Sequence, residues 1–305
     1  MSHKALLVGI NNFTHPEWRL NGCINDTLEV QELLKTYYGF KDEDIKLLHD
    51  KDATYQGIRA GLGWLLDGSQ IGDVRVFHFS SHGTQVDDDS GDEWECLDEV
   101  IVPYDHDWDK PFRDDELRAM FVKIPQGVNF TFIADCCHSG SIQKGLLDSG
   151  IKFKPRYLDP PKEIKARIEA KVAKRDADFD AWAAQQLPEM LKGVPPEQWG
   201  EMIIKFMKEL RDRFRQNKYA IVDFDRDVLL AACEDRQTAA DAQIGGEYHG
   251  AFTWGLGKAI REANGDLTYE TLIRQAAAKI KNYEQKPQLE CPAVMRTLKV
   301  FAPLS

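Results

Sequence analysis

Several features are missing from this sequence of 305 residues, and each absence excludes a class of protein. No apolar run approaches the roughly 18 to 20 residues that a membrane-spanning helix requires. The run Ala5–Ile10 is too short for a secretion signal and is typical of a buried strand. The six cysteines form no Cys-x-x-Cys pair and show no zinc-type spacing with histidine. We therefore expect a cytoplasmic protein with reduced thiols and no membrane partner.

The sequence also lacks a surplus of positive charge. It has 39 basic and 50 acidic side chains and a net charge of -11, whereas nucleic acids and anionic membranes require clustered Lys and Arg. The charge is uneven, because residues 151–226 carry +4 and the remainder carries -15. Acidic residues are concentrated in 87–116. We expect no nucleic-acid partner for this acidic chain with one basic stretch.

Apolar runs alternate with segments of helical periodicity. The runs predict strands at Ala5–Ile10, Ile45–Leu48, Val74–Phe79, Val100–Val102, Phe130–Ala134, Val228–Cys233 and Leu298–Phe301. The periodicity predicts helices over Asn25–Tyr38, Thr54–Leu66 (with Thr54 as N-cap), Asp114–Val122, Phe252–Ala263 and Tyr269–Asn282. This alternation indicates an α/β fold with a mostly parallel central sheet flanked by helices.

Residues 151–226 interrupt the alternation with six prolines and with charged helical patterns at 162–187 and 197–216. We interpret this stretch as a basic helical insertion in a single domain of residues 1–305, between a first part, 1–150, and a last part, 227–305. The insertion is either a solvated decoration or a functional lid, and the sequence leaves both open.

Two predicted strands end in reactive side chains. Ser80-Ser81-His82-Gly83 follows one strand, and Asp135-Cys136-Cys137-His138 follows another. Ligands of an open parallel sheet bind beyond the carboxyl ends of its strands, so we expect a His and a Cys to meet there. A Cys–His pair is the minimum for nucleophilic acyl transfer. The small residues that follow, Gly83 and Ser139-Gly140, can offer N–H groups to an oxyanion. Taken alone, each residue is more often structural.

Together these segments resemble the caspase-like cysteine peptidases, and most closely the metacaspases and their bacterial, orthocaspase-like relatives. The resemblance covers about 1–148 and 227–302. Its motifs lie, in order, at 21–26, 80–85, 98–103, 135–141, 231–241 and 287–290. It implies the caspase-hemoglobinase fold, with 1–150 as the large-subunit-like part and 227–305 as the small-subunit-like part. It further implies a cysteine endopeptidase that acts on proteins or peptides as a monomer.

Site residues carry over from the resemblance by position. The general base falls on His82, the nucleophile on Cys137, and the oxyanion hole on the amides of Gly83 and Cys137. A packing or turn-shaping role is expected for three neighbours: His78, Cys136 and His138. The residues matching the substrate pocket are Cys23, Asp26, Ser80 and Asp135. Because carboxylates pair with guanidinium and ammonium groups, this pocket predicts cleavage after Arg or Lys.

The resemblance leaves the role of calcium open. Asp98, Asp114 and Asp115 match part of a calcium site that many metacaspases have, and oxygen ligands suit this ion. Lys144, however, stands where the calcium-binding relatives carry Asp, although the run Asp87–Asp89 could compensate. We expect that no cofactor is required, and calcium remains a candidate activator.

The resemblance also implies self-processing, because members of the family cleave their own chains after Lys or Arg in the region that follows the nucleophile. Here that region runs from Lys144 to Arg226 and contains many Lys and Arg residues. The basic insertion would then be both an inhibitory lid and a cleavage site. Two alternatives of another class remain at this stage. One is a catalytically silent scaffold or regulatory protein on a caspase-like fold, and the other is a calcium sensor.

Overall fold

The structure is a computed structural model that describes residues 1–89, 96–138, 153–206, 227–234, 237–283 and 285–304. Its strands, in chain order, are β1 (His3–Gly9), β2 (Ile45–His49), β3 (Val74–Ser80), β4 (Gly83–Asp87), β5 (Leu97–Ile101), β6 (Phe112–Arg113), β7 (Asn129–Asp135), β8 (Phe153–Pro155), β9 (Val228–Ala231), β10 (Ala240–Ile244), β11 (Glu247–Gly250) and β12 (Gln288–Glu290). Its α-helices are α1 (Cys23–Tyr37), α2 (Tyr55–Leu66), α3 (Asp114–Phe121), α4 (Lys162–Met190), α5 (Ala251–Glu262), α6 (Tyr269–Ile280) and α7 (Ala293–Arg296). None of the helices in these ranges is both long enough and apolar enough to cross a membrane.

Six strands form the central sheet, in the order β12-β9-β7-β3-β1-β2. The pairs from β2 through β9 are parallel, and β12 lies antiparallel to β9. The register of β3 and β7 places Ser80 opposite Asp135 at the carboxyl ends of both strands. The mostly parallel sheet that the alternating pattern predicted is therefore confirmed, and its two motif-bearing strands are neighbours.

Both faces of the central sheet are buried. Alternate side chains of β1 enter different cores: Ala5 and Leu7 pack with α1, α5 and α6, while Leu6 and Val8 pack with α2 and α3. This is why the strands of the sheet appear in the sequence as continuous apolar runs. Helix α2 begins where predicted, because the Thr54 side chain accepts a hydrogen bond from the Gly57 N–H.

Two small sheets accompany the central one, with strand orders β11-β10-β8 and β4-β5-β6. Strand β10 pairs antiparallel with both β11 and β8, so that Asp241 lies opposite Lys154. The strand predicted at Leu298–Phe301 is wrong. Lys299 makes only an isolated bridge to Thr268, and Phe301 has a left-handed φ of 52°. The apolar side chains there are explained by packing, since Val300 and Phe301 belong to the core.

The described residues divide into two compact units. The second consists of 85–89, 96–98 and 160–206, which include α4 and further helical turns at 199–206. Residues 153–159, which the sequence grouped with the insertion, belong to the first unit. Within the second unit, Asp87 pairs with Arg167 at 3.1 Å and with Lys171 at 2.9 Å. Asp87 is thus paired with two basic side chains of α4.

Candidate active site

The two reactive residues follow neighbouring strand ends. His82 lies two residues beyond the end of β3, and Cys137 lies two residues beyond the end of β7. Since Ser80 and Asp135 are opposite each other in the sheet, the loops that carry His82 and Cys137 leave the sheet side by side. Both side chains are buried. The sheet topology therefore brings together the His and the Cys that the sequence singled out.

The hydrogen bond of His82 defines its tautomer. Its Nε2 lies 2.7 Å from the Trp18 carbonyl oxygen. A carbonyl only accepts, so Nε2 carries the hydrogen and Nδ1 of the neutral ring keeps its lone pair. Burial lowers the pKa of His82 to about 4, although the carbonyls of Trp18 and Arg156 favour the charged ring. Near pH 7 the ring is neutral, and its Nδ1, which has no hydrogen-bond partner within the described ranges, can accept a proton.

The thiol of Cys137 is held by the loop after β9. Its Sγ accepts a hydrogen bond from the Ala239 N–H at 2.7 Å and donates to the Gln237 carbonyl at 3.0 Å. The Sγ of Cys233 lies 2.7 Å away, yet both cysteines are free thiols. Among the described residues, no hydrogen bond joins Cys137 to His82. For His82 to take its proton, the thiol would first have to leave these partners by rotation about Cα–Cβ.

The three neighbours expected to be structural are found in packed surroundings. Cys136 is a member of the buried core on the α2 side of the sheet. The Nε2 of His78, a fully buried side chain, is 3.4 Å from the Thr253 hydroxyl. The Nδ1 of His138 is 3.4 Å from the Thr84 carbonyl oxygen. These contacts agree with packing and turn-shaping roles.

The four residues predicted to line the substrate pocket are together and fully buried. Cys23 and Asp26 come from the first turn of α1, Ser80 ends β3, and Asp135 ends β7. The Ser80 hydroxyl donates to Asp26 Oδ2 at 2.8 Å. The N–H and hydroxyl of Thr253 donate to Asp135 Oδ2 at 2.9 and 2.6 Å. Backbone and hydroxyl donors thus fix both carboxylates in place.

This pocket holds a side chain of the protein itself. The guanidinium of Arg156 is fully buried, 2.7 Å from Asp26 Oδ2, 3.1 Å from Asp135 Oδ1 and 3.2 Å from Asp241 Oδ1. It also donates to the Ser80 hydroxyl at 2.8 Å. The protein therefore binds an arginine side chain with three carboxylates where the resemblance placed an arginine or lysine pocket.

Sequence reasoning missed two residues of this pocket. Asp241 ends the motif at 231–241 but was not assigned to the pocket. It belongs to the pocket because its strand, β10, places it against the residues that precede α1. Its Oδ2 and Oδ1 accept hydrogen bonds from the N–H groups of Asn21 and Gly22 at 2.9 and 2.8 Å. Arg156 was one of many basic residues in the insertion. No local signal distinguishes it from the others.

The electrostatics of the pocket follow from burial and from the one guanidinium among three carboxylates. Burial alone would raise the pKa of Asp26, but Arg156 and His249, whose Nδ1 lies 3.4 Å from Asp26 Oδ1, lower it below its ordinary value. Burial also raises the pKa of Asp135, and there Arg156 does not reverse the effect. Although burial opposes its charge, Arg156 has a pKa well above the ordinary value, with Asp135 as the main cause. The guanidinium is firmly charged.

The backbone of Arg156 occupies the predicted oxyanion hole. Its carbonyl oxygen accepts hydrogen bonds from the Gly83 N–H at 3.0 Å and from the Cys137 N–H at 3.2 Å. These are the two amides assigned from the resemblance. Two converging N–H donors polarise a carbonyl and stabilise the negative charge that forms when a nucleophile adds to it. The carbonyl bound here belongs to the residue whose side chain fills the pocket.

A glycine keeps the pocket open. A Cβ on Gly250 would overlap Asp135 Oδ2 and the guanidinium of Arg156. The Gly250 N–H donates to both oxygens of Asp26, at 3.0 and 3.1 Å. Only glycine offers this amide without a side chain that enters the space of the arginine.

The three residues that the resemblance assigns to calcium are not neighbours of the pocket residues in the sequence. Asp98 is buried on β5, and the half-buried Asp114 and Asp115 begin α3. Among the described residues, no three His, Cys, Asp or Glu side chains are grouped closely enough to hold a metal ion. Lys144 lies outside the described residues. The calcium site therefore stays a prediction.

Sequence comparisons match this chain to peptidases. Residues 3–145 match the family model for the metacaspase, peptidase C14 domain. Metacaspase-1 of Pyricularia oryzae is 33% identical over 307 residues, which cover 98% of this chain and 74% of that protein. Metacaspase-1 of Schizosaccharomyces pombe is 31% identical over 297 residues, which cover 94% of this chain and 67% of that protein.

Solved structures show the same fold. A protein of Geobacter sulfurreducens matches with a TM-score of 0.63 and 21% identity over 100% of both chains. Caspase-1 of Spodoptera frugiperda matches with a TM-score of 0.50 and 12% identity, over 95% of this chain and 86% of that one. At these identities the likeness concerns the fold alone, and it agrees with the caspase-like architecture expected from the sequence.

Proposed function

Because this chain belongs to the metacaspase family of cysteine peptidases, we propose that it is an endopeptidase that cuts after Arg or Lys, with Cys137 as nucleophile and His82 as base. Its substrates are then proteins or peptides that carry a basic residue before the scissile bond. Membership of the family establishes the peptidase activity. The specificity for Arg or Lys and the roles of Cys137 and His82 are what we propose.

The observation that carries the proposal is the position of Arg156. One residue fills both the acidic pocket, with its side chain, and the pair of amides, with its carbonyl oxygen. A substrate residue before the scissile bond must do both at once. The distance from the pocket to the amides therefore fits an arginine, and the carbonyl oxygen of that arginine lies 3.2 Å from the backbone nitrogen of Cys137.

The reaction follows from the donors and acceptors already described. Nδ1 of neutral His82 accepts the thiol proton of Cys137, and the resulting thiolate adds to the substrate carbonyl carbon. The amides of Gly83 and Cys137 stabilise the oxyanion. The peptide C–N bond breaks as His82 returns the proton to the leaving amine, and water then hydrolyses the thioester. None of these reaction steps requires a metal ion.

The pocket geometry favours arginine over lysine. Arg156 uses its two terminal nitrogens separately, Nη1 toward Ser80 and Asp135 and Nη2 toward Asp26 and Asp241. The single ammonium of lysine cannot occupy both positions, so it forms fewer charged contacts with the same carboxylates. We expect lysyl substrates to be accepted but cut more slowly than arginyl ones.

A panel of fluorogenic peptides that differ only in the residue before the dye tests the proposal. We expect cleavage in the order Arg, then Lys, with Asp uncut, and no cleavage by Cys137→Ala. Reaction of the Cys137 thiol with an arginyl electrophile should give a covalent adduct of one molecule per chain. Faster cleavage after Asp, or activity that survives Cys137→Ala, contradicts the proposal.

The remaining expectations concern the state of the protein in the cell. We propose that the protein is a monomer, as the resemblance to the metacaspases implies, and that it acts in the cytoplasm. Size-exclusion chromatography with light scattering should give the mass of one chain, 34.8 kDa. A stable dimer would contradict this part of the proposal and leave the chemistry untouched.

A further inference from the structure

We infer that the Arg156–Tyr157 peptide bond is a substrate of this enzyme, so that the chain is bound to its own active site before it is cut there. The inference rests on the proposed function and goes beyond it, because it names one bond and makes the uncut chain its own inhibitor.

The residues before this bond lie as a substrate strand. Phe153–Pro155, which is β8, pairs antiparallel with β10, and the Arg156 N–H continues the pairing with a hydrogen bond to the Ala239 carbonyl at 3.0 Å. The side chain of Lys154 donates to the Glu17 carbonyl at 3.1 Å and also to the Arg19 carbonyl. Backbone pairing on one side and the arginine pocket on the other fix the register of this segment.

The residues after the bond are held as well. The Leu158 N–H donates to the Gly83 carbonyl at 2.9 Å, and the Thr84 hydroxyl donates to the Leu158 carbonyl at 2.6 Å. The chain therefore crosses the site with both sides of the Arg156–Tyr157 bond anchored, as a peptidase holds the bond that it cuts. A basic side chain that entered an acidic pocket by chance would need none of these backbone contacts.

The position of the carbonyl distinguishes Arg156 from the other basic residues of this region. Of those that the structure describes between 153 and 206, it alone presents its carbonyl oxygen to the amides of Gly83 and Cys137. Most of the others lie on α4, whose backbone is folded into helical hydrogen bonds and cannot pair with β10. Lys144 and the residues at 207–226 lie outside the described residues.

Self-cleavage after Arg156 needs only groups of this chain and one water molecule. The Cys137 sulfur, after its proton passes to His82, adds to the Arg156 carbonyl carbon. The Arg156–Tyr157 C–N bond then breaks, and the proton returns to the nitrogen of Tyr157 as the new amino terminus forms. Water hydrolyses the thioester, which leaves a carboxylate on Arg156 and restores the thiol. Until these steps occur, Arg156 excludes every other arginine from the pocket.

N-terminal sequencing and intact mass of the full-length chain during incubation test the inference. We expect two fragments, 1–156 and 157–305, with a new terminus that begins Tyr157-Leu158, and an intact Cys137→Ala protein. The first-order rate constant should not change on dilution, because the bond is already in the site. Cleavage of arginyl peptides should begin with a lag that matches the appearance of the fragments.

One variant blocks the bond and leaves Arg156 in place. The Tyr157 N–H donates no hydrogen bond within the described ranges, so Tyr157→Pro removes no backbone contact there. It converts the bond to a tertiary amide and should leave the chain uncut at this position, while Tyr157→Phe is cut like the wild type. Arg156→Lys, which keeps the charge, should still be cut, and Lys174→Ala on the exposed surface of α4 should be cut normally.

The outcomes separate the inference from the proposed function. Cleavage of arginyl peptides by a chain that never gains a Tyr157 terminus overturns the inference and leaves the proposed function intact. A chain that cuts neither arginyl peptides nor itself overturns both. A rate constant that rises in proportion to protein concentration overturns the intramolecular assignment.

Discussion

Asp241 is the residue of the acidic pocket that sequence reasoning did not assign, so replacing it with Asn tests the geometry directly. Its Oδ1 is 3.2 Å from Nη2 of Arg156. In Asp241→Asn the guanidinium keeps Asp26 and Asp135, and no buried charge is left unpaired. The new amide has one acceptor oxygen, so its NH2 faces one of the N–H groups of Asn21 and Gly22, a local cost that both peptides of the assay below share. The difference between the peptides comes from the guanidinium. The loss is therefore that of one charged hydrogen bond, about 1.5–3 kcal/mol. This corresponds to a roughly 10- to 150-fold fall in kcat/KM for arginyl peptides, since each 1.36 kcal/mol is tenfold.

The assay compares two peptides that differ only before the scissile bond, one with arginine and one with its neutral isostere citrulline. We expect Asp241→Asn to lower kcat/KM for the arginine peptide by the stated factor and to change the citrulline peptide little, so the ratio between them falls. Glu43→Gln removes an exposed carboxylate elsewhere and should leave the ratio unchanged. An equal loss for both peptides would mean general damage to the site. An unchanged ratio would show that Asp241 does not bind the substrate.

Three further outcomes follow from the structure. Gly250→Ala should abolish arginyl cleavage because its methyl group overlaps the guanidinium position, while cleavage that persists at the wild-type rate would contradict the pocket assignment. The pKa values of His78, His82 and His106 are lowered to about 4 by burial, so the unfolded chain binds more protons than the folded one between about pH 6.5 and 4. Stability should fall as pH falls through that window, by up to about 3 kcal/mol per histidine, and calorimetry of His106→Phe should show a smaller fall than the wild type. Finally, excess EDTA should leave peptide cleavage unchanged, and a loss of activity that calcium alone restores would establish the metal site.

The sequence predicted the parts of the fold that repeat a local pattern. The central strands are continuous apolar runs because both of their faces are buried, and the helices show a regular apolar period. The short strands β4, β6, β8 and β10–β12 were missed because they are two to five residues long and depend on partners far away in the chain. At Leu298–Phe301 an apolar run that packs into the core without pairing was mistaken for a strand.

The same limit applies to the site. Two strand ends and a recognisable motif were enough to place His82 and Cys137 together and to nominate Asp26 and Asp135. Arg156, however, is 130 residues from Asp26 in the chain and reaches it only because β8 pairs with β10. Nothing in its own surroundings in the sequence marks this contact, whereas the three-dimensional pairing does.

The occupied pocket also explains how an acidic site of this kind can fold. Asp26, Asp135 and Asp241 are almost completely buried, and carboxylates without a partner are costly to remove from water. Arg156 supplies the opposite charge from within the chain, so the pocket is neutralised in part before any substrate arrives. If cleavage after Arg156 frees the pocket, as we infer, the same carboxylates must then take up protons, water or another guanidinium. We expect an affinity for arginine there, because the pocket folds around a guanidinium as its counter-ion.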